Sequence, residues 1–289
     1  MFDIKTPIVA IETPFILESE VQIFMKRDDL IHQFISGNKW YKLKYNFASF
    51  EKTPLSKIAT FGGAYSNHLI ATAAACAMKG VPCVGIVRGE ELNTNSNHVL
   101  RLCSEYGMEL QFVERSTYKR PKVLTSMLKS DGFFVIPEGG DNVFGRQGCM
   151  EIVPDYTNYD HIVVPVGTAA TFSGIIDGSK GNSFIHGIAA VGNGAYLLAQ
   201  IRDQTSFDNW KLHTDYSFGG FGKYDAPQVN FNKQFTQQTG ILLDPIYTGK
   251  MMRGVYDLIN KKAFKSEDRV LCIHTGGLTG LPSGKWLNS

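Results

Sequence analysis

The stretch from Lys57 to Lys79 reads KIATFGGAYSNHLIATAAACAMK. Its first five residues predict a strand, and the double glycine that follows predicts a tight turn. Ser66 is a residue type that caps helix N-termini, and the alanine-rich remainder predicts a helix over Asn67–Lys79 that Gly80 stops. This order, from a strand through a glycine turn into a capped helix, is the repeating unit of an α/β protein.

The same alternation continues along the 289-residue chain. Further apolar runs predict strands at Val21–Lys26, Cys83–Val87, Glu109–Val113, Phe133–Ile136, His161–Pro165, Ile188–Val191 and Arg269–His274. Periodic segments predict helices at Asn38–Phe50, Ser96–Tyr106, Pro121–Lys129, Ala195–Asp203, Gln228–Thr239 and Gly249–Lys262. We therefore expect an α/β fold with two open, twisted, mostly parallel sheets flanked by helices, one of them built from the strands between residues 57 and 136.

The composition narrows the class of protein. Hydrophobic residues make up 43% and charged residues 19% of the chain, as in soluble globular proteins. The net charge of +2 predicts neither a nucleic-acid partner nor binding to an anionic membrane. Five scattered cysteines without metal-ligand spacing indicate reduced thiols, a cytosolic protein and no metal site. We expect no signal peptide and no membrane span.

Glycine-containing loops follow several predicted strands. In open α/β sheets ligands bind beyond the carboxyl ends of the strands, where glycine lets the backbone approach an anion. We therefore expect a ligand site where five segments meet: 36–40, 61–68, 137–142, 166–174 and 273–277.

Two of these loops allow alternative interpretations from their residues alone. Lys39 stands at a helix start, where a cation is unfavourable. It is either a solvated surface lysine, like Lys42 and Lys44, or an amine desolvated to form a Schiff base. The loop from Gly167 to Gly174 is either a simple turn or a phosphate cradle, and it lacks the lysine of a nucleotide-triphosphate loop.

A second glycine pattern suggests a different ligand. Gly192 and Gly194 follow a predicted strand, and Asp215 lies about twenty residues further on, as in half of a dinucleotide-binding motif. Leu197 occupies the position of the third glycine, which close packing of helix and strand requires. The pattern therefore does not favour dinucleotide binding.

The order of the loops resembles that of a known enzyme family. The matching motifs are KRDDL at 26–30, SGNKWYKL at 36–43, GGAYSNH at 62–68, PEGGDN at 137–142, GTAATFSG at 167–174, LLDPIYTGKMM at 242–252 and HTGG at 274–277. Together they resemble the fold-type II enzymes that use pyridoxal 5′-phosphate (PLP). Within that group they resemble the family of 1-aminocyclopropane-1-carboxylate (ACC) deaminase and D-cysteine desulfhydrase.

The resemblance implies how the cofactor is held. Lys39 would form the Schiff base with PLP, Asn67 would bind the phenolic oxygen of its ring, and Thr275 would face the pyridine nitrogen. The phosphate would lie in a cradle formed by Gly167, Thr168, Ala169, Ala170 and Thr171.

The resemblance also implies how a small amino-acid substrate is bound and converted. Lys39, Ser66 and Tyr247 would be catalytic, with Tyr247 supplying a phenol. Ser66, Asn67, His68 and Tyr247 would contact the substrate. The products would be a 2-oxo acid and ammonia, with sulfide in addition when the substrate is cysteine.

The resemblance further implies an architecture, an assembly and a location. Residues 1–52 and 151–289 would form a large PLP-binding domain, and residues 53–150 a smaller α/β domain inserted into it. The protein would be a cytoplasmic homodimer.

Individual positions separate the two activities of this family. The ACC deaminase pattern has a glutamate after the catalytic tyrosine and a leucine in the last motif, where this chain has Thr248 and Thr275. Both threonines follow the desulfhydrase pattern, so we expect β-elimination from a small D-amino acid, with ACC deaminase as the alternative.

Two departures from the family pattern raise a further alternative. Phe221 replaces a second tyrosine, and either Tyr216 or Tyr224 would have to supply its hydroxyl. Ala169 and Ala170 stand where glycines are usual in the phosphate loop. A PLP-binding protein with little catalytic activity is therefore the alternative from another functional class.

Overall fold

The computed structural model describes residues 5–192, 194–220 and 222–280. The strands over these residues are β1 Ile8–Ala10, β2 Gln22–Lys26, β3 Lys57–Gly62, β4 Cys83–Arg88, β5 Met108–Val113, β6 Phe133–Ile136, β7 His161–Val166, β8 Phe184–Ala189, β9 Trp210–His213 and β10 Arg269–Ile273. The helices are α1 Pro14–Glu18, α2 Asn38–Phe50, α3 Asn67–Lys79, α4 His98–Glu105, α5 Arg115–Tyr118, α6 Pro121–Ser130, α7 Val143–Cys149, α8 Ala169–Ser179, α9 Gly194–Gln204, α10 Ala226–Thr239 and α11 Thr248–Asn260.

The larger sheet has six strands in the order β1-β2-β10-β7-β8-β9. Five of them run parallel, and the short edge strand β1 pairs antiparallel with β2. In β7 every residue after the first is buried, which is typical of a parallel strand covered by helices on both faces. The carboxyl ends of β10 and β7, the two central strands, therefore point to the same edge of this sheet.

The smaller sheet has four parallel strands in the order β5-β4-β3-β6. All four lie between residues 57 and 136, as the sequence predicts. The α/β fold with two mostly parallel sheets is therefore confirmed, whereas the domain boundaries at residues 53 and 150 stay a prediction.

One predicted strand is misplaced. The structure has β8 at Phe184–Ala189, where the sequence predicts a strand at Ile188–Val191. His186 and Gly187 obscure the strand pattern, although both are buried in the sheet. His186 is a polar residue on a buried face, and it can lie there because it hydrogen-bonds to two other histidines.

Helix α7 joins the elements that carry the loops. A Cβ on Gly148 would lie 1.9 Å from the carbonyl oxygen of Tyr41 in α2, and one on Gly174 in α8 would lie 2.5 Å from Cβ of Cys149. These glycines let α2, α7 and α8 approach backbone to backbone. The close packing fixes the first turns of α2 and α8 relative to each other.

Two further findings concern the described residues only. None of their helices has both the length and the apolar character needed to cross a bilayer. They also contain no group of three or more His, Cys, Asp or Glu side chains that could hold a metal ion.

Candidate active site

Three of the predicted loops meet directly. A Cβ on Gly37, at the start of α2, would lie 1.9 Å from the carbonyl oxygen of Thr275. A Cβ on Gly277 would lie 3.4 Å from Nδ2 of Asn67, at the start of α3. Gly37 also has a φ of +60°, which a side chain would strain. The loops before α2, before α3 and after β10 therefore surround one point.

The other two loops border the same point. A Cβ on Gly139 would lie 3.3 Å from Cγ2 of Thr168, and one on Gly140 would lie 3.3 Å from Cε1 of His68. The five segments that the sequence predicts to share a ligand site thus lie together, in the cleft between the carboxyl ends of the two sheets.

Lys39 is the second residue of α2 and lies in this cleft. Its Nζ donates to Oδ1 of Asn38 at 2.9 Å, and Nδ2 of Asn38 donates to Oγ1 of Thr171 at 2.8 Å. Burial of the amine, and next the charge of Lys42, lower the pKa of Lys39 to about 7. A large share of the Lys39 amine is therefore uncharged and nucleophilic at neutral pH.

Lys42 is a site residue that the sequence interpretation missed. The sequence predicts a surface lysine at this position, but Lys42 is only 1% exposed. Its Nζ donates to the carbonyl oxygen of Gly139 at 2.9 Å and to Oγ1 of Thr168 at 3.4 Å. The spacing of three from Lys39 places both lysines on one helix face, which could have indicated this position.

The first turn of α8 has the properties of an anion site. The helix begins at Ala169, and Thr168 precedes it in an extended conformation without a capping hydrogen bond from its side chain. The first N–H groups of a helix have no partner within it, and they carry partial positive charge. Together with the Lys42 ammonium they fit a phosphate group.

The alanines of this loop cause no strain. Ala169 and Ala170 are buried in the first turn of α8, and neither has a positive φ. Glycine is required only where φ is positive or the backbone must approach closely. The departure from the usual glycines therefore leaves the N–H groups of α8 in place.

Ser66 and Asn67 lie at the N-terminus of α3. Oγ of Ser66 accepts a hydrogen bond from the backbone N–H of Leu69 at 3.3 Å, which leaves the hydroxyl proton for another acceptor. Oδ1 of Asn67 is buried without a hydrogen-bond partner among the described residues. A buried amide with an unmet hydrogen bond indicates that a polar group belongs beside it.

His68 lies behind this turn. It is 2% exposed, and its Nε2 is 2.9 Å from Oγ1 of Thr60. Burial, and next the charges of Lys39 and Lys42, hold the pKa of His68 well below its usual value. The imidazole is therefore neutral, and its predicted contact with substrate stays a prediction.

Tyr247 lies over the loop between β7 and α8. A Cβ on Gly167 would lie 2.9 Å from Cε1 of the Tyr247 ring. Burial, and next the carboxylates of Asp244 and Glu138, raise the pKa of the phenol. The Tyr247 hydroxyl therefore keeps its proton at neutral pH.

Asp244 is a second residue that the sequence interpretation missed. Its Oδ1 accepts from the backbone N–H groups of Ile246 at 2.9 Å and Tyr247 at 2.6 Å. Its Oδ2 accepts from the N–H of Thr248 at 2.9 Å and from its hydroxyl at 2.6 Å. Asp244 thus orders the turn that presents Tyr247, and an aspartate before a proline and a helix start could have indicated it.

The threonines that separate the two family activities differ in their surroundings. Thr248 is fully buried, and its hydroxyl is bound to Asp244. Thr275 lies 9% exposed in the loop that packs against Gly37. The predicted approach of Thr275 to a ring nitrogen stays a prediction.

The structure describes both proposed substitutes for the second tyrosine. Phe221 lies outside the described residues. The Tyr216 hydroxyl donates to the carboxylate of Asp257 in α11, and its ring lines a groove on the surface with Arg253. Tyr224 is 43% exposed. Tyr216 is therefore committed to another contact.

The chain is similar in sequence and in fold to known proteins. The family described as "Pyridoxal-phosphate dependent enzyme" matches residues 2–276. An ACC deaminase homologue of known structure is 27% identical, with a TM-score of 0.84 over 96% of this chain and 91% of its own.

More distant structures share the fold. Threonine deaminase isoform 2 from Solanum lycopersicum is 13% identical, with a TM-score of 0.72 over 99% of this chain and 86% of its own. A hydrogen sulfide-producing enzyme from Fusobacterium nucleatum is 16% identical, with a TM-score of 0.66 over 96% of each chain.

Proposed function

Because the chain belongs to the family of pyridoxal-phosphate-dependent enzymes and uses PLP as its cofactor, we propose that it is a lyase or deaminase of the D-cysteine desulfhydrase type. It would convert a small amino acid to a 2-oxo acid and ammonia, and would release sulfide from cysteine. The observation that carries this proposal is the convergence of Lys39, the N-terminus of α8 and Tyr247 in one cleft.

The residues of the cleft fit the parts of PLP. The N–H groups of α8 and the ammonium of Lys42 suit its phosphate. The Lys39 amine, with a pKa of about 7, suits its aldehyde. The unmet hydrogen bond of Asn67 suits a polar atom of its ring.

PLP, when bound, supplies an electron sink that acidifies the Cα–H of an amino acid. The Lys39 amine is the base of suitable pKa for that proton. Asn38 holds Nζ of Lys39 and is itself held by Thr171 at the start of α8. This chain of hydrogen bonds orients the base relative to the phosphate cradle.

Tyr247 suits the role of the acid. Its phenol keeps its proton at neutral pH because it is buried near two carboxylates. Asp244 fixes the backbone of Tyr247, and Gly167 leaves room for its ring. Tyr247 would then donate its proton to the departing atom, which is sulfur when the substrate is cysteine.

Two threonines favour desulfhydrase over ACC deaminase chemistry. Thr248 is neutral where the deaminase pattern has a glutamate, and Thr275 carries a hydroxyl where that pattern has a leucine. A hydroxyl supplies no negative charge to keep a ring nitrogen protonated, so the electron sink is weaker. A weaker sink is sufficient when a good leaving group such as a thiolate departs.

ACC deaminase is the second candidate, because the 27% identical structure is an ACC deaminase homologue. Both activities are tested with the purified holoenzyme. We expect sulfide and pyruvate from D-cysteine, and little 2-oxobutyrate from ACC. Release of 2-oxobutyrate as the faster reaction would reverse the assignment. Turnover of neither compound by a PLP-loaded protein would favour a binding protein of low activity.

The homodimer and the cytoplasmic location are proposals that rest on the family resemblance.

A further inference from the structure

The rim of the smaller sheet carries two opposite charges that the proposed mechanism does not use. Arg88 is the last residue of β4, and Glu138 begins the 3-10 helix that follows β6. Both side chains are exposed, and neither forms an ion pair with another described residue. Because the strands are parallel, both residues lie at the edge of the sheet that borders the cleft.

Both residues lie close to loops that border the site. Nη2 of Arg88 would lie 3.5 Å from a Cβ on Gly63, in the turn before α3. Glu138 is followed by Gly139, which lies against Thr168 of the phosphate loop. The Glu138 carboxylate also acts on Tyr247 across the cleft, since it contributes to the raised pKa of that phenol.

Tyr118 stands between the two charges. Tyr118 is only 9% exposed, and the centroid of its ring is 6.2 Å from that of Phe61. The Arg88 guanidinium lies 5.8 Å from the centroid of the Tyr118 ring. The hydroxyl faces the Glu138 carboxylate, which raises the pKa of Tyr118 further after burial. This hydroxyl makes no hydrogen bond of ordinary geometry to a described residue, and the Glu138 carboxylate is the acceptor that it faces. The guanidinium, the phenol and the carboxylate therefore form one polar cluster at this edge of the sheet.

A cation, an anion and a phenol at the mouth of an amino-acid site match a second amino acid. We propose that Arg88, Tyr118 and Glu138 bind the leaving group of the substrate, and that this group is itself an amino acid carrying both an ammonium and a carboxylate. The substrate class is then a thioether-linked or disulfide-linked pair of amino acids. This inference rests on the proposed β-elimination, because it names the substrate of the same site.

The reaction balances with water as the only co-reactant. With lanthionine, the Cβ–S bond breaks, and sulfur leaves with the bonding electrons and takes a proton. The Cα proton passes to the Lys39 amine, and water completes the conversion of the remaining fragment. One lanthionine and one water give one cysteine, one pyruvate and one ammonia.

The test compares meso-lanthionine with β-chloro-D-alanine. The leaving group of the chloro compound is chloride, which has neither an ammonium nor a carboxylate group. We expect Glu138→Gln and Arg88→Gln to lower the ratio of kcat/KM for lanthionine to that for chloroalanine on the order of tenfold each, since each loses a charged hydrogen bond. Tyr118→Phe lowers it less. Glu114→Gln, which removes a carboxylate near α5 that bonds only to Ser116 in the described structure, is the matched control and leaves the ratio unchanged.

Binding is measured separately from turnover. Titration of the holoenzyme absorbance gives the Kd of meso-lanthionine relative to that of D-alanine, and we expect the three variants to lose the preference for lanthionine. An unchanged preference and an unchanged kcat/KM ratio in Glu138→Gln and Arg88→Gln would overturn the inference. A wild type that prefers lanthionine in binding but eliminates neither compound would support this surface and refute the proposed function.

Discussion

The ring of Tyr247 lies against Gly167 so closely that a single added methyl group would fall 2.9 Å from Cε1. This contact joins the turn ordered by Asp244 to the start of the phosphate loop. The proposed acid and the proposed phosphate cradle are therefore one packed unit.

Gly167→Ala tests this contact. The added methyl group forces either the ring or the loop to move, and we expect kcat/KM to fall on the order of a hundredfold, as misplacement by about 1 Å can cause. Gly192→Ala is the matched control, because a Cβ there would meet only Cα of Gly220 at an ordinary 3.6 Å. Equal activities of the two variants would show that the contact does not matter.

Tyr247→Phe removes the hydroxyl and keeps the ring. We expect kcat to fall by about 10²–10⁴-fold, which is the usual contribution of a general acid, while the cofactor stays bound. Steady-state kinetics and the absorbance of the bound cofactor check the two parts. Tyr196→Phe, at a position that is 62% exposed, serves as the control. Undiminished turnover by Tyr247→Phe on the true substrate would remove Tyr247 from the mechanism.

The pKa of Lys39 predicts a pH dependence. Because the pKa is lowered to about 7, the amine is mostly charged and unreactive below that pH, and mostly neutral above it. The rate at which the apoprotein combines with PLP should therefore rise through a midpoint near pH 7.

Lys42→Met should move this midpoint to higher pH and weaken PLP binding, because the charge of Lys42 lowers the pKa of Lys39 and lies beside Thr168. Lys44→Met removes a lysine whose partner is Glu151 on the surface, and should leave the midpoint in place. A midpoint that does not move in Lys42→Met would contradict the electrostatic coupling.

Three histidines cross the larger sheet and predict acid sensitivity. His186 lies 3.1 Å from His161 and 3.0 Å from His213, nitrogen to nitrogen. Burial lowers the pKa of His186 to about 3 and that of His213 to about 4. The unfolded chain binds these protons more readily, so the free energy of unfolding falls as the pH decreases from about 6.5 to about 3.

Urea unfolding at pH 7.5 and pH 5 measures this effect. We expect His186→Leu to lose less stability between the two pH values than the wild type does. His98→Gln is the control, because this histidine begins α4 and lies 2.7 Å from the carbonyl oxygen of Thr279, away from the three histidines. This variant should retain the wild-type difference. The same loss of stability in His186→Leu as in the wild type would refute the role of this histidine.

The sequence predicts the elements whose ends carry local capping signals. Helices α2 and α3 begin and end at the predicted residues, since Gly37, Ser66 and Gly80 are the caps that their backbones need. The edge strands β1 and β9 and the glycine-containing helix α7 were not predicted. They are short, and tertiary packing rather than local preference stabilises them.

The sequence likewise predicts some features of the candidate site and misses others. Motifs predict the five loops, because turns depend on local residue types. They do not predict the burial of Lys42, which depends on Gly139 and Thr168 more than ninety residues away. Nor do they predict the carboxylate of Glu138 facing Tyr118, since these residues belong to two separate helical segments that only the tertiary fold brings together.

The attachment of PLP to Lys39 is the central claim, and it is tested most directly by borohydride reduction of the holoenzyme followed by peptide mass analysis. The account predicts a single reduced pyridoxyl adduct on Lys39, and an absorbance at about 410 nm that Lys39→Ala lacks. An adduct on Lys42, one helical turn away, or no adduct in a protein that retains PLP, would contradict it.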